Sequence, residues 1–201
     1  MSGLYSSDNE ALPSVPQGVD DAVGVPERNW YVAIVNNRSE ILAVERLGHL
    51  GYEAYAATQK EMRMWRNGRK KIIDRVVITS LIFVRCTEIE RKEIVALPFI
   101  NRFMTDRATG SDGRRSSVAI VPDHQICMLR YMLGNSDTPV DFVSHDYRRG
   151  EPIKVVRGSL SGTEGEVIEI EDGKGELIVR LDILGCARCT IKLADVVPLK
   201  Q

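Results

Sequence analysis

Between Gly150 and Leu199 a glycine recurs every few residues, and short runs of β-branched and aliphatic side chains fill the gaps. A stretch built this way has few options other than a compact β structure. Ile153, Val155 and Val156 make the first apolar run, and Gly158, Gly162 and Gly165 punctuate the next ten residues. Val167, Ile168 and Ile170 restart the pattern, with Glu166, Glu169 and Glu171 interleaved. Asp172-Gly173-Lys174-Gly175 reads as a hairpin turn, since Asp-Gly tolerates the positive φ that a tight turn needs. Leu177, Ile178, Val179, Leu181, Ile183 and Leu184 then lead to Gly185, Thr190–Leu193 is another short run, and Val196-Val197-Pro198 is the last. The Val-Val, Val-Ile and Ile-Val pairs and the many glycines oppose a helix, so the segment is expected to be β constitutively. A unit this small has a thin core, and marginal but independent folding is expected of it.

The remainder of the chain has a different texture. Residues 1–27 are rich in Ser, Asp, Asn, Gly and Pro, with apolar residues scattered without period, and are expected to be a disordered tail. Composition changes abruptly at Asn29. Trp30-Tyr31-Val32-Ala33-Ile34-Val35 is a buried-strand signal. Ser39 is the expected N-cap of a helix carrying Ile41, Leu42, Val44, Leu47 and Leu50, which Gly51 stops. A second strand is expected over Tyr52–Thr58, a basic segment with an Asn67-Gly68 turn over Lys60–Asp74, and a long apolar strand over Arg75–Cys86. A short helix over Glu88–Leu97, a strand over Phe99–Met104 and a brief strand over Val118–Val121 come next. Pro122-Asp123 opens a helix through Leu133, with Asp as the expected cap.

This order predicts an α+β domain: an antiparallel sheet flanked by helices, with one sheet face left to be covered by something else or used. The turn-rich stretch from Asn135 to Arg149 reads as a linker in which Val140, Phe142 and Val143 are able to dock on a neighbour. The expected organisation is therefore a tail (1–27), an α+β domain (28–134), a linker (135–149) and a small five-stranded β-barrel (150–201).

Two resemblances attach to these residues. The C-terminal positions Gly150, Ile153, Val155-Val156, Gly158, Gly162 and Gly165-Glu166-Val167 resemble the KOW module, although the pattern alone leaves a generic SH3-like or OB-type barrel open. The domain before it resembles the NGN domain of the NusG family of transcription elongation factors. The resemblance runs from about Arg28 to Gln201. It is carried by Trp30-Tyr31, by the helix start at Arg38-Ser39-Glu40 and by Asn67-Gly68-Arg69-Lys70-Lys71. Leu81-Ile82-Phe83-Val84, Pro98 to Met104 and Ala119 to Ile126 extend it. Ile78-Thr79-Ser80-Leu81 and Phe99 depart from the family's usual Phe-Pro-Gly-Tyr and Pro-Gly-Val, and Leu160 stands where many members carry phenylalanine. These departures resemble specialised paralogues, similar to RfaH or to the UpxY antiterminators of capsule operons.

The resemblance implies a factor that binds the clamp helices of RNA polymerase and suppresses pausing or termination, at selected operons such as surface polysaccharide loci. It implies polymerase contacts at Ile34, Leu81, Phe83 and Phe103, with Arg91 and Lys92 in the gate-loop region. For the first four the alternative is ordinary core, and for the charged pair a solvated helix start. It also implies non-template DNA as a partner, and for the C-terminal module a ribosomal protein or termination factor, through Leu160 and Ile183.

The basic segment points to nucleic acid by its own chemistry. Arg63, Arg66, Arg69, Lys70 and Lys71 supply sequence-independent phosphate contacts, Trp65 can stack on an extruded base, and Arg38 lies beside that edge. A solvated basic turn, with Trp65 as a tether to the core, is the alternative. A competing function is a ribosome- or RNA-binding protein acting through the C-terminal module. The acidic run Glu164, Glu166, Glu169, Glu171, Asp172 and Glu176 argues against that.

With a net charge of −1 the chain as a whole is no polyanion binder. No signal peptide is expected, and no apolar run reaches the roughly 18–20 residues of a membrane span. A cytoplasmic monomer with no membrane partner is expected. Cys186-Ala187-Arg188-Cys189 has metal-site spacing, but zinc needs four ligands and His49, His124 and His145 are dispersed. No metal, cofactor or enzymatic activity is expected.

Overall fold

A computed structural model describes residues 26–106, 117–144, 150–170 and 173–199. The expected tail lies outside these residues, apart from its last two positions.

The N-terminal half is built on one antiparallel sheet. Asn29–Val35 (β1) pairs on one side with Leu81–Cys86 (β5), which in turn pairs with Glu53–Tyr55 (β2). On its other side β1 pairs with Ile100–Phe103 (β6) and Ile120–Val121 (β7). Glu40–His49 (α1) follows β1 and Glu88–Ile94 (α2) follows β5. Thr87 closes a capping box on α2: its hydroxyl accepts from the Glu90 N–H at 3.2 Å, and the Glu90 carboxylate accepts from the Thr87 N–H at 2.8 Å. Ser39 precedes α1 but does not cap it through its side chain, because its hydroxyl donates instead to the Asn36 carbonyl at 2.6 Å.

The long strand expected over 75–86 is two strands. Lys70–Val76 (β4) turns back to pair with Thr58–Met64 (β3) as a separate two-stranded hairpin, and β5 starts only at Leu81. Between them Ser80 takes φ 62, and its N–H donates at 2.6 Å to the carboxylate of Glu40, the buried first residue of α1. An apolar run with no proline or glycine gave no warning of this break.

Both faces of the sheet are covered. On one face Tyr31, Ala33, Val35, Ile82 and Val84 pack with Ala43 and Leu47 of α1 and Ile94 of α2. The opposite face, expected to be covered by something else or used, is covered by Asp123–Asn135 (α3). There Trp30, Val32 and Phe83 pack with Ile126, Leu129, Met132 and Leu133. The unbroken apolar runs of β1 and β5 are the sequence trace of a sheet buried on both faces.

The C-terminal strands are Glu151–Val155 (β9), Glu164–Glu169 (β10), Lys174–Leu181 (β11), Gly185–Lys192 (β12) and Val196–Pro198 (β13). They form an antiparallel sheet in the order β13-β9-β10-β11-β12, and Asp141–Val143 (β8), expected to be linker, adds a sixth strand beside β12. The outermost strands β13 and β8 do not pair with each other among the described residues, so the expected five-stranded barrel is here an unclosed six-stranded path. Gly185 permits the sixth strand: it sits at φ 136, where a Cβ would lie 2.1 Å from the Val143 carbonyl oxygen. The segment 167–193, expected to be β, is strand through most of its described length.

The two halves share one core. The α3-side cluster continues through Val140 into Ile153, Val155, Leu160, Leu177 and Leu181. Polar contacts reinforce it. Gln125 of α3 donates to the Asp182 carboxylate at 2.6 Å and accepts from the Asp182 N–H at 3.2 Å, and the Tyr131 hydroxyl donates to the Ser161 carbonyl at 2.8 Å.

Candidate functional site

The six residues that the resemblance marked for a polymerase contact fall in three places. Ile34 and Leu81 are directly opposed across β1 and β5, and both are half-buried. They occupy the end of the sheet face at the margin of the α3-side core, against which Leu81 packs, and the exposed Arg102 of β6 sits opposite Ile34 on its other side. Arg102 carries no signal in the sequence because only strand register places it there.

Phe83 is two residues further along the same face but fully buried. Its ring stacks on Tyr55 at 6.0 Å and 25°. The Arg130 guanidinium of α3 lies 4.5 Å from the Tyr55 ring centroid and 4.8 Å from that of Trp30. Burial pushes the Tyr55 phenol up to about 12, with Arg130 opposing the shift. Phe83 is therefore core, and it is not part of an exposed patch.

Phe103 is on the other side of the sheet. It opposes Ala33, meets Tyr31 edge-on at 6.1 Å and is buried among the residues under α1 and α2. Arg91 turns inward over both rings, 5.8 Å from Tyr31 and 5.5 Å from Phe103, and pairs with Glu88 through a 2.7 Å bond from Nε. The Glu88 hydrogen bond raises the Arg91 pKa further, so Arg91 is a charged brace of the α2 layer. Lys92 is exposed. Sequence motifs group these residues, and strand alternation separates them.

The hairpin β3–β4 is anchored at its base and free at its tip. Gln59 donates to the Thr138 carbonyl at 2.9 Å and accepts from the Val140 N–H at 2.9 Å. Arg75 donates to the Val140 carbonyl at 2.8 Å and to Gln59 at 3.1 Å, so this cation is used structurally. Arg63, Arg66, Arg69, Lys70 and Lys71 are all exposed near the tip. Of these only Arg63 has an ion-pair partner among the described residues, Glu61 at 3.5 Å. Trp65 is 58% exposed, which excludes the core-tether alternative.

One face of the hairpin also carries an apolar row that was not expected from the sequence. Met62 opposes Ile72 and Met64 opposes Lys70 on that face, whereas Arg63 opposes Lys71 on the other. Met62, Met64 and Ile72 are 63%, 71% and 62% exposed. The signal is present as the alternation Met62-Arg63-Met64, masked by the surrounding basic residues. Arg38 stands apart from the tip: it takes φ 66 in the turn before α1 and lines a depression with Val76 and Thr79 at the hairpin base.

In the C-terminal sheet Leu160 is buried in the shared core and Ile183 is half-buried in the β11–β12 turn. Leu160 is thus committed to packing within the chain. Cys186 and Cys189 are both buried on β12, and their odd spacing along a strand turns them to opposite faces, away from a common ligand.

Comparison with known proteins gives a consistent result. Residues 28–130 match the family model described as transcription termination factor NusG. The transcription termination/antitermination protein NusG of Streptococcus pyogenes serotype M1 is 22% identical over 151 residues, covering 65% of this chain and 83% of that protein. The same protein of serotype M18 matches equally, at 22% identity over 151 residues. Among solved structures, one describing domain interaction in Thermotoga maritima NusG is 14% identical, covers 87% of this chain and 98% of that one, and superposes with a TM-score of 0.43. A chain of the MjSpt4:Spt5 complex is 12% identical over 86% of this chain and 99% of its own, with a TM-score of 0.25.

Proposed function

The chain belongs to the NusG family, and from that premise we propose that it is a transcription elongation or antitermination factor that binds RNA polymerase through its N-terminal sheet. The observation that carries the reading is the Ile34–Leu81 pair: two aliphatic side chains directly opposed across neighbouring strands, half-open, flanked by the exposed Arg102. The docking partner is an apolar-and-acidic helical surface of the polymerase clamp. Bound there, the factor favours the processive, unpaused state of the enzyme by binding it more tightly than the paused one. The departures at Ile78–Leu81, Phe99 and Leu160 support a role at selected operons, including surface polysaccharide loci, in place of general elongation. The hairpin cations support a contact with non-template DNA.

The C-terminal sheet takes a protein partner, a ribosomal protein or a termination factor. That contact uses surfaces other than Leu160 unless the sheet first leaves α3, since Leu160 lies in the core they share. The factor works in the cytoplasm as a monomer. No helix among the described residues is long and apolar enough to cross a membrane.

Capture on immobilised core RNA polymerase tests the proposal. Leu81→Asp is expected to lose capture while keeping the wild-type far-UV spectrum and a cooperative melt. Equal capture of folded Leu81→Asp and wild type would remove the sheet face as the docking surface.

A further inference from the structure

Where the C-terminal sheet meets the segment that leaves α3, the surface sinks into a depression of about 370 Å³. Small ligands are held in pockets of roughly 300–1,000 Å³, so one small molecule fits. One wall is Ser136, Asp137 and Thr138, which follow α3. The other is built by the loop between β9 and β10, the start of β11 and the end of β12. Leu160, buried in the shared core, and the half-buried Ile191 give it an apolar floor. Two charges on its rim are uncompensated. Lys174 directly opposes Lys192 across β11 and β12, so both ammonium groups leave the same face of the sheet. Both are exposed, and neither has an ion-pair partner among the described residues. Like charges placed directly opposite each other on a sheet are destabilising, so folding does not account for the pair. Arg157 on the same rim is already committed, to Asp195 at 3.4 Å and to the Ala194 carbonyl. Asp137, on the facing wall, is an exposed carboxylate that also has no ion-pair partner among the described residues.

A ligand for this depression must bring an anionic group to the lysines, hydrogen-bond donors to Asp137 and an apolar body to the floor. An inorganic anion lacks the body and the donors. An acidic peptide meets the lysines but sets like charge against Asp137. A nucleic-acid strand would carry further phosphates past Asp137 and Asp195. A single nucleotide has all three features: phosphate, ribose hydroxyls and a flat base. We propose that this depression is a nucleotide site. The phosphate of a nucleoside mono- or diphosphate lies between Lys174 and Lys192, the ribose hydroxyls donate to Asp137, and the base covers Leu160 and Ile191. The site spans the seam between the two halves of the chain. Thr138 already links them: its hydroxyl donates to the Thr190 carbonyl at 3.2 Å, and its carbonyl accepts from Gln59 at 2.9 Å. A ligand touching both walls binds the docked chain more tightly than an undocked one, and so shifts the population toward docking. Nucleotide supply thereby sets how readily the C-terminal sheet separates from α3.

The test uses the full chain with ADP, GDP and inorganic phosphate, followed by isothermal titration, thermal melting and amide exchange. At least one of the two nucleotides is expected to bind saturably and to raise the melting temperature. Inorganic phosphate is expected to bind at least about tenfold more weakly, for want of the floor and the Asp137 contact. Lys174→Gln combined with Lys192→Gln is expected to weaken nucleotide binding about tenfold or more, the scale of lost hydrogen bonds to a charged group. Without nucleotide that variant is expected to melt no lower than wild type, since it removes a like-charge pair. Asp137→Ala is expected to weaken nucleotide binding and to leave phosphate binding undiminished. Amide exchange over residues 136–138 and 158–160 is expected to slow together when nucleotide is added.

Absence of saturable binding of both nucleotides at millimolar concentration would overturn the inference. So would nucleotide binding that the double lysine variant keeps in full, which would put the ligand elsewhere on the chain. Inorganic phosphate bound as tightly as the nucleotides would reduce the depression to an anion trap and also overturn it. Exchange unchanged on either wall in the presence of bound nucleotide would refute the seam-spanning position.

Discussion

Truncating Phe83 distinguishes a core residue from a docking residue. Its side chain, on β5, is fully buried between the sheet and α3, within a cluster that includes Val32, Leu129 and Met132, and its ring stacks on Tyr55. Deleting a buried phenyl costs about 3–5 kcal/mol in lost transfer energy and cavity formation. The stacked partner adds about 0.5–1.5 kcal/mol that the truncated chain forfeits. Taking about 4 kcal/mol as the sum after partial collapse of the site, and about 2–4 °C per kcal/mol for a chain of this size, Phe83→Ala should melt some 8–16 °C lower. Leu81→Ala should lose only about 1–2 kcal/mol, because its side chain is half-buried and transfer scales with the area removed from water. Urea titration and thermal melting followed by circular dichroism measure both. A Phe83→Ala protein within about 1 kcal/mol of wild type, or a Leu81→Ala protein less stable than Phe83→Ala, would show that α3 does not seal this face.

Glu40→Ala removes the buried carboxylate that holds the Ser80 N–H at the β4–β5 turn, and should cost about 2–3 kcal/mol in thermal unfolding, with Glu40→Gln recovering part of it. Gly185→Ala would drive a Cβ into the Val143 carbonyl, so β8 should detach from β12, read as faster amide exchange at Val143 and Cys186 with the N-terminal sheet unchanged. Iodoacetamide at pH 8 should label the exposed Cys127 and spare Cys86, whose thiol burial first, and the Glu90 charge second, push from 9.0 up to about 12. Peptide mass spectrometry counts the adducts. Because the unfolded chain releases the Cys86 proton first, its contribution to stability is intact below pH 9 and is lost as pH rises from about 9 toward 12. A protein equally stable at pH 8.5 and pH 11 would contradict this.

The order of strands and helices was legible because local chemistry writes it. The apolar run from Trp30, the glycine at Gly51 and the Pro122 helix start each act within a few residues. The candidate sites were legible only as residue types. Phe83 and Phe103 look alike in sequence, yet pairing with Val32 and with Ala33 sends them to opposite faces. Arg91 reads as a solvent-facing contact, yet two aromatic rings and Glu88 draw it inward. Met62, Met64 and Ile72 become one apolar row only once β3 is in register with β4.

Composition and periodicity alone thus establish two β-rich halves and a basic hairpin, and short motifs such as Trp30-Tyr31 carry the family resemblance. The elements follow from turn chemistry and side-chain alternation, which act over one to a few residues. Which apolar residues remain open to a partner was decided by tertiary contacts far apart in sequence. α3 closes over Phe83, Val140 and Leu160 are drawn into one core, and Asp141–Val143 leaves the linker to join the C-terminal sheet. Exposure is set by what packs on a face, and no local pattern encodes the arrival of a helix from a distant part of the chain.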